Sequence, residues 1–382
     1  MQRIMKGRPS GGRFRVVEAW KITTERRTLM SRYYVGLDVH KASISIAVLN
    51  AANKLVMESV VETGAATILG FLKGLRGQVE VTFEEGTHAA WLYDTLQRAK
   101  VKVVVCDPRK NRLLRDGNKS DKVDARKLAQ LLRAGLLSPV YHGEQGVRDL
   151  KELVRSYEYL VEDSTRTMNR IKALYRSRAI ACAGTDVYKP RLREGWLAKL
   201  PGPGARARAE RLYSELDHLT GLRREARKAL VAECRRHPAA KVLLGVPTLG
   251  VVRVAQLIAA VVTPHRFRSK RQFWSYCGLA VVTRSSGDHQ LIGEQVRRRK
   301  RAPETRGLTR SHNRTLKYVF KSAALTASRC EPFKTWYAEL LARGLRPELA
   351  RVTVARKIAA TTLAVWKAGE SFDGGKVIGQ AA

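Results

Sequence analysis

The sequence predicts an α/β domain near the N-terminal end, followed by two mostly helical regions. Three observations support this prediction. Between residues 33 and 134, short β-branched and aromatic runs alternate with segments of helical periodicity. From residue 147 onward, apolar residues recur every three or four positions, which is typical of long helices. With 382 residues, the chain is also longer than one ordinary domain.

The first domain, residues 33–145, is expected to combine a strand meander with alternating strands and helices, an α/β arrangement. Its strands are predicted at 33–38, 43–49, 54–62, 78–84 and 101–106. Its helices are predicted at 64–76, 88–100 and 122–134. The strand over 101–106 is interpreted as apolar throughout, so we expect it to be buried on both faces.

Residues 146–236 are expected to form a helical coiled-coil region. One heptad-like stripe runs through 147–178 and a second through 212–229, with a break that contains Pro and Gly between them. The pattern predicts an antiparallel hairpin or a coiled coil. Two compatible interpretations follow: a spacer or dimerisation arm, and a nucleic-acid contact surface formed by Arg and Lys on the other helix faces.

The third region, residues 237–370, is predicted to be mostly helical. Its helices are expected over 251–261, 269–277 and 313–328, with two more within 332–369, whereas residues 281–310 are expected to be irregular. The ends of the chain carry little pattern. Residues 1–32 are expected to be a basic, disordered extension, and residues 371–382 a short tail.

The charge of the chain indicates a polyanionic partner. There are 72 lysines and arginines against 34 acidic residues, a formal charge of +38, and nucleic acid is the expected partner. The five scattered cysteines contain no CxxC pair, which argues against a zinc ribbon and for a reducing cytosol. No apolar run reaches the length of a membrane span and no signal peptide is visible, so a cytoplasmic protein is expected.

Four carboxylates are the candidate metal ligands. Asp38 and Glu84 end two predicted strands, and Asp121 and Asp124 lie three residues apart at the start of a helix, facing the same way. Carboxylate oxygens suffice for Mg²⁺ (or Mn²⁺), and two-metal phosphoryl transfer uses several such groups. Taken singly, each acid is explained equally well as an ordinary solvated residue. Asp121 could also be the N-cap of its helix. The ordered set favours a metal centre.

Two neighbours of these acids leave alternatives open. Glu85 competes with Glu84, but strand alternation places Phe83 on the apolar face and Glu84 opposite, which favours Glu84. His40 follows Asp38 closely and could be a ligand, although a surface or phosphate contact is the favoured role.

A serine is the candidate nucleophile. Ser286 lies in the polar segment Thr283–Gly287, and Ser285 is the alternative. A serine hydroxyl can attack a phosphodiester and form a covalent phosphoserine, with a bound metal, His289 or nearby basic groups to activate it. An ordinary polar loop is the competing interpretation.

Two segments are candidates for contact with nucleic acid. Gly245–Gly250 precedes a helix and resembles a helix-hairpin-helix loop, in which exposed backbone N–H groups suit a phosphate. A plain connection between helices explains this segment equally well. The second candidate is a basic group that could stabilise phosphate charge: Arg284, Arg297, Arg298, Arg299 and Arg301.

These residues match the motifs of a known family. Residues 36–41, G-L-D-V-H-K, resemble its G-[IL]-D-V-x-K, and residues 119–125, K-S-D-K-V-D-A, resemble its K-T-D-x-x-D-A. Ser285-Ser286-Gly287 falls where the family has S-G, and Asn313–Leu316 resembles its G-N-R-x-L, although Glu85–Thr87 departs from its A-T-G. In this order, from residue 33 to about 368, the chain resembles the DEDD transposases of the insertion sequence 110 family, which are bridge-RNA-guided recombinases.

The resemblance implies an RNase H-like (RuvC-like) N-terminal domain, a coiled coil and a C-terminal transposase domain. It implies Mg²⁺ at the four acids, a covalent bond between Ser286 and DNA, and nucleic-acid contact by Arg314. The implied partners are donor and target DNA, a noncoding guide RNA, and further copies of the chain in a dimer or tetramer. Two other functions stay open: a RuvC-like nuclease of the junction-resolvase type, and an inactive nucleic-acid-binding protein.

Overall fold

The computed structural model describes residues 31–108, 110, 120–142, 147–284, 289–293, 295–298 and 304–375. The chain divides into two compact units, one up to residue 142 and one from residue 143. Nearly all of the predicted extension, and the tail beyond residue 375, lie outside the described residues.

The first unit is built on one mixed sheet. Its strands are β1 (Arg32–Val39), β2 (Ser43–Asn50), β3 (Leu55–Glu62), β4 (Gln78–Glu84) and β5 (Lys102–Cys106). They lie in the order β3-β2-β1-β4-β5. The pairs β1–β2 and β2–β3 are antiparallel, and β1–β4 and β4–β5 are parallel. This α/β arrangement was predicted, and it is consistent with an RNase H-like domain.

Three helices cover this sheet: α1 (Ala65–Lys73), α2 (Ala89–Arg98) and α3 (Asp121–Ala134). Alternate residues of a strand point to opposite faces. Val35 and Leu37 of β1 belong to the apolar core that includes Ile68 of α1 and Leu92 of α2. Gly36, between them, faces α3 instead. The sheet therefore separates α1 and α2 from α3.

The observed burial of β5 corrects one prediction. The strand is not buried on both faces: Lys102 is exposed, and full burial is reached only at Val105 and Cys106. The physical reason is the position of β5 at the edge of the sheet. Its outer side is partly paired with residues 138–140, since Val140 N–H donates to the Val105 carbonyl oxygen at 2.7 Å.

The second unit opens with two long helices, α4 (Arg148–Arg176) and, after the short α5 (Arg193–Leu197), α6 (Pro203–Arg236). Tyr175 near the end of α4 bonds to Tyr213 near the start of α6, with 3.0 Å between the hydroxyl oxygens. Val154, further back in α4, shares a core with Leu230 further along α6. The two helices therefore run antiparallel, as the apolar stripes predicted.

Helices pack around a second apolar core in the rest of this unit. They are α7 (Pro238–Leu243), α8 (Val251–Val261), α9 (Lys270–Tyr276), α10 (Arg314–Ala327), α11 (Phe333–Ala342) and α12 (Pro347–Ala368). Within the described ranges, no helix is both long and apolar enough to span a membrane. All five cysteines lie within the described residues, where none of them forms a disulfide and Cys330 alone is exposed.

The prediction that residues 281–310 are irregular was wrong for their described part. This part holds four short strands, β6 (Val281–Arg284), β7 (His289–Ile292), β8 (Gln295–Arg298) and β9 (Glu304–Leu308). Antiparallel pairs join β6 to β9 and β7 to β8. The side chains of Leu291 and Val296 are about 70% exposed, at 72% and 67%. With so little apolar burial, the usual sequence pattern of a half-buried strand is missing.

Candidate metal centre

The site is formed where β1 ends against the start of α3. Asp38 is the next-to-last residue of β1, and Asp121 and Asp124 lie in the first turn of α3. Ser120 caps this helix, because its hydroxyl accepts a hydrogen bond from the Val123 N–H at 3.3 Å. The N-cap role considered for Asp121 therefore falls to Ser120, which leaves the Asp121 carboxylate available to the site.

The close approach of α3 to β1 depends on a glycine. A Cβ at Gly36 would lie 2.1 Å from the Ala125 carbonyl oxygen and 2.6 Å from the Ala129 nitrogen. Gly36 and Asp38 are two residues apart on one strand, so both lie on the sheet face that α3 covers. The helix can thus carry its two acids to the strand that carries the third.

His40 completes a compact group with two of the acids. Its Nε2 atom lies 3.1 Å from Asp38 Oδ2 and 3.4 Å from Asp121 Oδ2. The three ligand atoms all lie within 4.8 Å of one another. A single cation could contact all three, and they are the one group of at least three such ligands that the described residues form.

The electrostatics of Asp38 favour a bound cation. Burial raises the pKa of its carboxyl above the ordinary value, and the nearby charges of Asp121 and Asp124 raise this pKa further, while His40 lowers it. The ionised form is therefore held in an unfavourable environment. A divalent cation would offset both the lost hydration and the repulsion, so the donor set fits the expected Mg²⁺ or Mn²⁺.

Glu84 lies at the same level of the sheet. Phe83 of β4 pairs with Leu37 of β1, so the next residues on the two parallel strands are Glu84 and Asp38. Both point to the face that α3 covers, because register partners on adjacent strands share a face. Glu84 and Asp124 do not belong to the compact group, although the charge of Asp124 acts on Asp38.

Glu85 contacts a different partner from the four acids. Its carboxylate bonds to Nε2 of His142 at 2.5 Å, and the His142 ring stacks on Tyr93 with 4.8 Å between centroids. The alternation argument placed Glu84 opposite the apolar face and Glu85 past the strand, and β4 ends at Glu84.

The remaining predicted site residues lie in the second unit. Ser285, Ser286, Arg299 and Arg301 are outside the described residues. Arg284 ends β6 and Arg298 ends β8, while the Arg297 side chain in β8 is exposed and bonds to Gln295 at 3.3 Å.

Two more predicted contacts lie at helix starts. Gly250 is the N-cap of α8, and Gly245 lies five residues earlier in the loop after α7. The side chain of Arg253 closes this loop by donating to the Thr248 carbonyl oxygen at 2.6 Å. Arg314 is the first residue of α10 and is exposed.

Comparison with known proteins identifies the family. Residues 35–177 match a DEDD-type family model described as a transposase. Residues 240–338 match the model described as the transposase IS116/IS110/IS902 family. The two matches together cover more than half of the chain. The chain belongs to the IS110 family of transposases, and the resemblance inferred from its motifs is confirmed.

A curated relative matches part of the same region. The chain is similar to the transposase for insertion sequence element IS1533 of Leptospira borgpetersenii, with 31% identity over 179 residues. The match covers 44% of this chain and 51% of the relative. The chain thus spans about half the length of the curated relative it matches.

Proposed function

We propose that this protein is the transposase of an insertion sequence, a site-specific recombinase that cuts and rejoins DNA. The observation that carries the proposal is the convergence of Asp38, Asp121 and His40 at one end of a sheet, bordered by Glu84 and Asp124. We also propose that the first unit has an RNase H-like fold and that α4 and α6 form a coiled coil.

The chain's own acids would hold the metal ions. Asp38 and Asp121 would bind one divalent ion, and Glu84 and Asp124 would complete a second site next to it. Such ions, Mg²⁺ or Mn²⁺, supply Lewis acidity and stabilise the charge on a phosphate undergoing transfer. The positions of these residues on β1, β4 and α3 fix the acids before any substrate arrives.

Ser286 would provide the nucleophile. Its Oγ forms a bond to phosphorus as one P–O bond of the DNA strand breaks, which leaves a hydroxyl on the released end and a phosphoserine on the protein. The serine proton passes to a nearby base or to the leaving oxygen. Attack by a hydroxyl of a second strand reverses the step, so the energy of the phosphodiester is kept.

The basic surface of the second unit suits long nucleic acids. Residues 143–382 contain 47 of the 72 lysines and arginines and 21 of the 34 acidic residues. We propose that this unit binds donor and target DNA together with a noncoding bridge RNA, with Gly245, Gly250, Arg297 and Arg314 among its contacts. We further propose that the protein acts as a dimer or tetramer in the bacterial cytoplasm, at the nucleoid.

Trapping on labelled donor DNA, with Mg²⁺ and RNA from the flanks of the element, tests this function. Denaturing gels compare the wild type with Ser286→Ala, Ser285→Ala and Asp121→Ala. We expect a covalent adduct in the wild type and Ser285→Ala, and its loss in the other two variants. An adduct lost only in Ser285→Ala would move the nucleophile by one residue.

Two outcomes would contradict the proposal. Cleavage without any adduct, insensitive to both serines, would indicate a nuclease that uses water alone. DNA binding without cleavage under all conditions, unchanged in Asp121→Ala, would indicate a protein that only binds nucleic acid.

A further inference from the structure

His40 holds a position that the four acids do not explain. Its Nε2 atom lies 3.1 Å from Asp38 Oδ2 and 3.4 Å from Asp121 Oδ2. We infer that His40 is a direct nitrogen ligand of the ion held by these two acids, and that it makes the centre prefer Mn²⁺ over Mg²⁺. This inference rests on the proposed function, since it concerns the same metal centre.

The backbone that carries the imidazole is held on both sides of the His40 Cα. The His40 N–H donates to the Ser43 carbonyl oxygen at 2.9 Å, which closes the turn from β1 into β2. The His40 carbonyl oxygen accepts a bond from the Thr63 hydroxyl at 3.0 Å, just beyond the end of β3. Backbone held on both sides of the Cα restricts where the imidazole can lie, which a free surface loop would not do.

The arrangement of acceptors around one nitrogen also favours a cation. A neutral imidazole with hydrogen on Nε2 donates one good hydrogen bond, yet two carboxylate oxygens approach this atom. A metal ion in the space between the three atoms would be bound by the nitrogen lone pair and by both carboxylates. The ring lies half-exposed, with 47% of its side chain accessible, so an ion can reach it from solvent.

A nitrogen donor changes which ion the centre prefers. Mg²⁺ takes oxygen ligands and keeps several waters, and imidazole is a poor substitute for either. Imidazole nitrogen is a ligand of first-row transition ions, and Mn²⁺, which shares the oxygen ligands of Mg²⁺, stands at the start of that series. The set of Asp38, His40 and Asp121 is therefore better matched to Mn²⁺ than a set of acids alone.

Pulsed electron paramagnetic resonance on the full chain loaded with Mn²⁺ tests this ligand directly. Wild-type protein should show a ¹⁴N coupling on the bound ion, and the coupling should change when the protein is labelled with ¹⁵N-histidine. His40→Gln should lose the coupling, while His218→Gln, at an exposed position in α6, should keep it. No DNA and no turnover are needed.

Titration calorimetry measures the selectivity of the centre for Mn²⁺ over Mg²⁺. Loss of a direct ligand in His40→Gln should raise the Mn²⁺ Kd by roughly tenfold or more, since even partners outside the ligand set change affinity by tenfold to a hundredfold. The Mg²⁺ Kd should change much less, so the ratio of the two constants falls. Equal weakening of both ions would overturn the claim about selectivity.

The outcomes separate this inference from the proposed function. Mn²⁺ bound in the wild type and lost in Asp38→Asn, but without a nitrogen coupling, would overturn the role of His40 and leave the acid centre standing. No Mn²⁺ or Mg²⁺ binding at all would overturn the metal centre itself, and with it both proposals.

Discussion

At the scale of single residues, Asp38 shows how a site is maintained at a cost to stability. Its carboxyl is partly buried beside two further acids, and both effects raise its pKa. The residue types were visible in the sequence because acids at strand ends break an apolar pattern. The position of the His40 ring beside Asp121 could not be predicted, since nothing in the local sequence shows that the turn after β1 directs the ring there.

Asp38→Asn should stabilise the metal-free protein at neutral pH. A carboxyl whose pKa is raised on folding costs stability once it ionises, so the wild type loses stability as pH rises through that pKa. The neutral Asn avoids this loss, and its advantage should vanish at a pH below the ordinary range of aspartic acid. Thermal unfolding in a chelator, followed from acid to neutral pH, measures the effect.

Divalent metal should make the wild type more stable than Asp38→Asn. At a free metal concentration of 100 times Kd, the wild type gains about 2.7 kcal/mol from binding, and Asp38→Asn gains nothing. Asp217 is a matched control with the opposite sign, because its ion pair with Arg193 lowers its pKa. Asp217→Asn should slightly destabilise the protein at neutral pH, and added metal should not change the stability of this variant. A destabilised Asp38→Asn in chelator would contradict the argument.

At the scale of elements, the sequence predicted the first unit well because each element had a local signal. Apolar alternation marked the strands, and Ser120 and Gly135 mark the ends of α3, the latter with a φ of 67°. The sequence could not predict the pairing order, which is decided by contacts far apart in the chain. The edge position of β5 was missed for this reason, whereas β6 to β9 were missed because their exposed side chains leave no alternating apolar pattern.

The position of α3 also depends on long-range contacts. Arg126 forms an ion pair with Glu58 of β3, and Arg133 donates to the Asn53 side chain at 3.1 Å. These contacts hold the helix across the antiparallel half of the sheet. The acids at its start are thereby held at the end of β1.

Gly36→Ala should separate α3 from β1. The new methyl group would meet backbone atoms of Ala125 and Ala129, which cannot move without moving the helix. We expect a loss of roughly 1–3 kcal/mol or more, as for other overpacked sites, and weaker metal binding because Asp121 moves with α3. Denaturant unfolding and Mn²⁺ titration measure the two effects.

Gly70→Ala is the control for this substitution. Gly70 is exposed in α1, and no atom lies within 4 Å of the position that the new methyl group would take. Alanine should stabilise the helix by up to about 1 kcal/mol and leave metal binding unchanged. If both alanine variants behaved alike, close contact at Gly36 would not be what positions the helix.

At the scale of the whole chain, charge and chemistry are distributed unequally. The acidic centre lies in the first unit, whereas residues 143–382 carry most of the excess of lysine and arginine. Composition alone predicted a polyanionic partner, because counterion release depends on the number of charges and not on the fold. Composition could not indicate where on the chain those charges act.

DNA binding should therefore weaken steeply with salt. A protein that contacts 6–10 phosphates loses about 10³ to 10⁵ in affinity between 50 and 200 mM salt. Arg297 is exposed on β8, so Arg297→Gln should reduce the slope of log K against log salt by about 1. Arg98→Gln, at the end of α2 on the sheet face opposite to the acids, should leave the slope unchanged. Fluorescence anisotropy with a labelled duplex, repeated over a salt series, gives both slopes. Equal slopes for wild type and Arg297→Gln would show that Arg297 does not contact DNA. Lysines and arginines elsewhere in the chain would then account for binding.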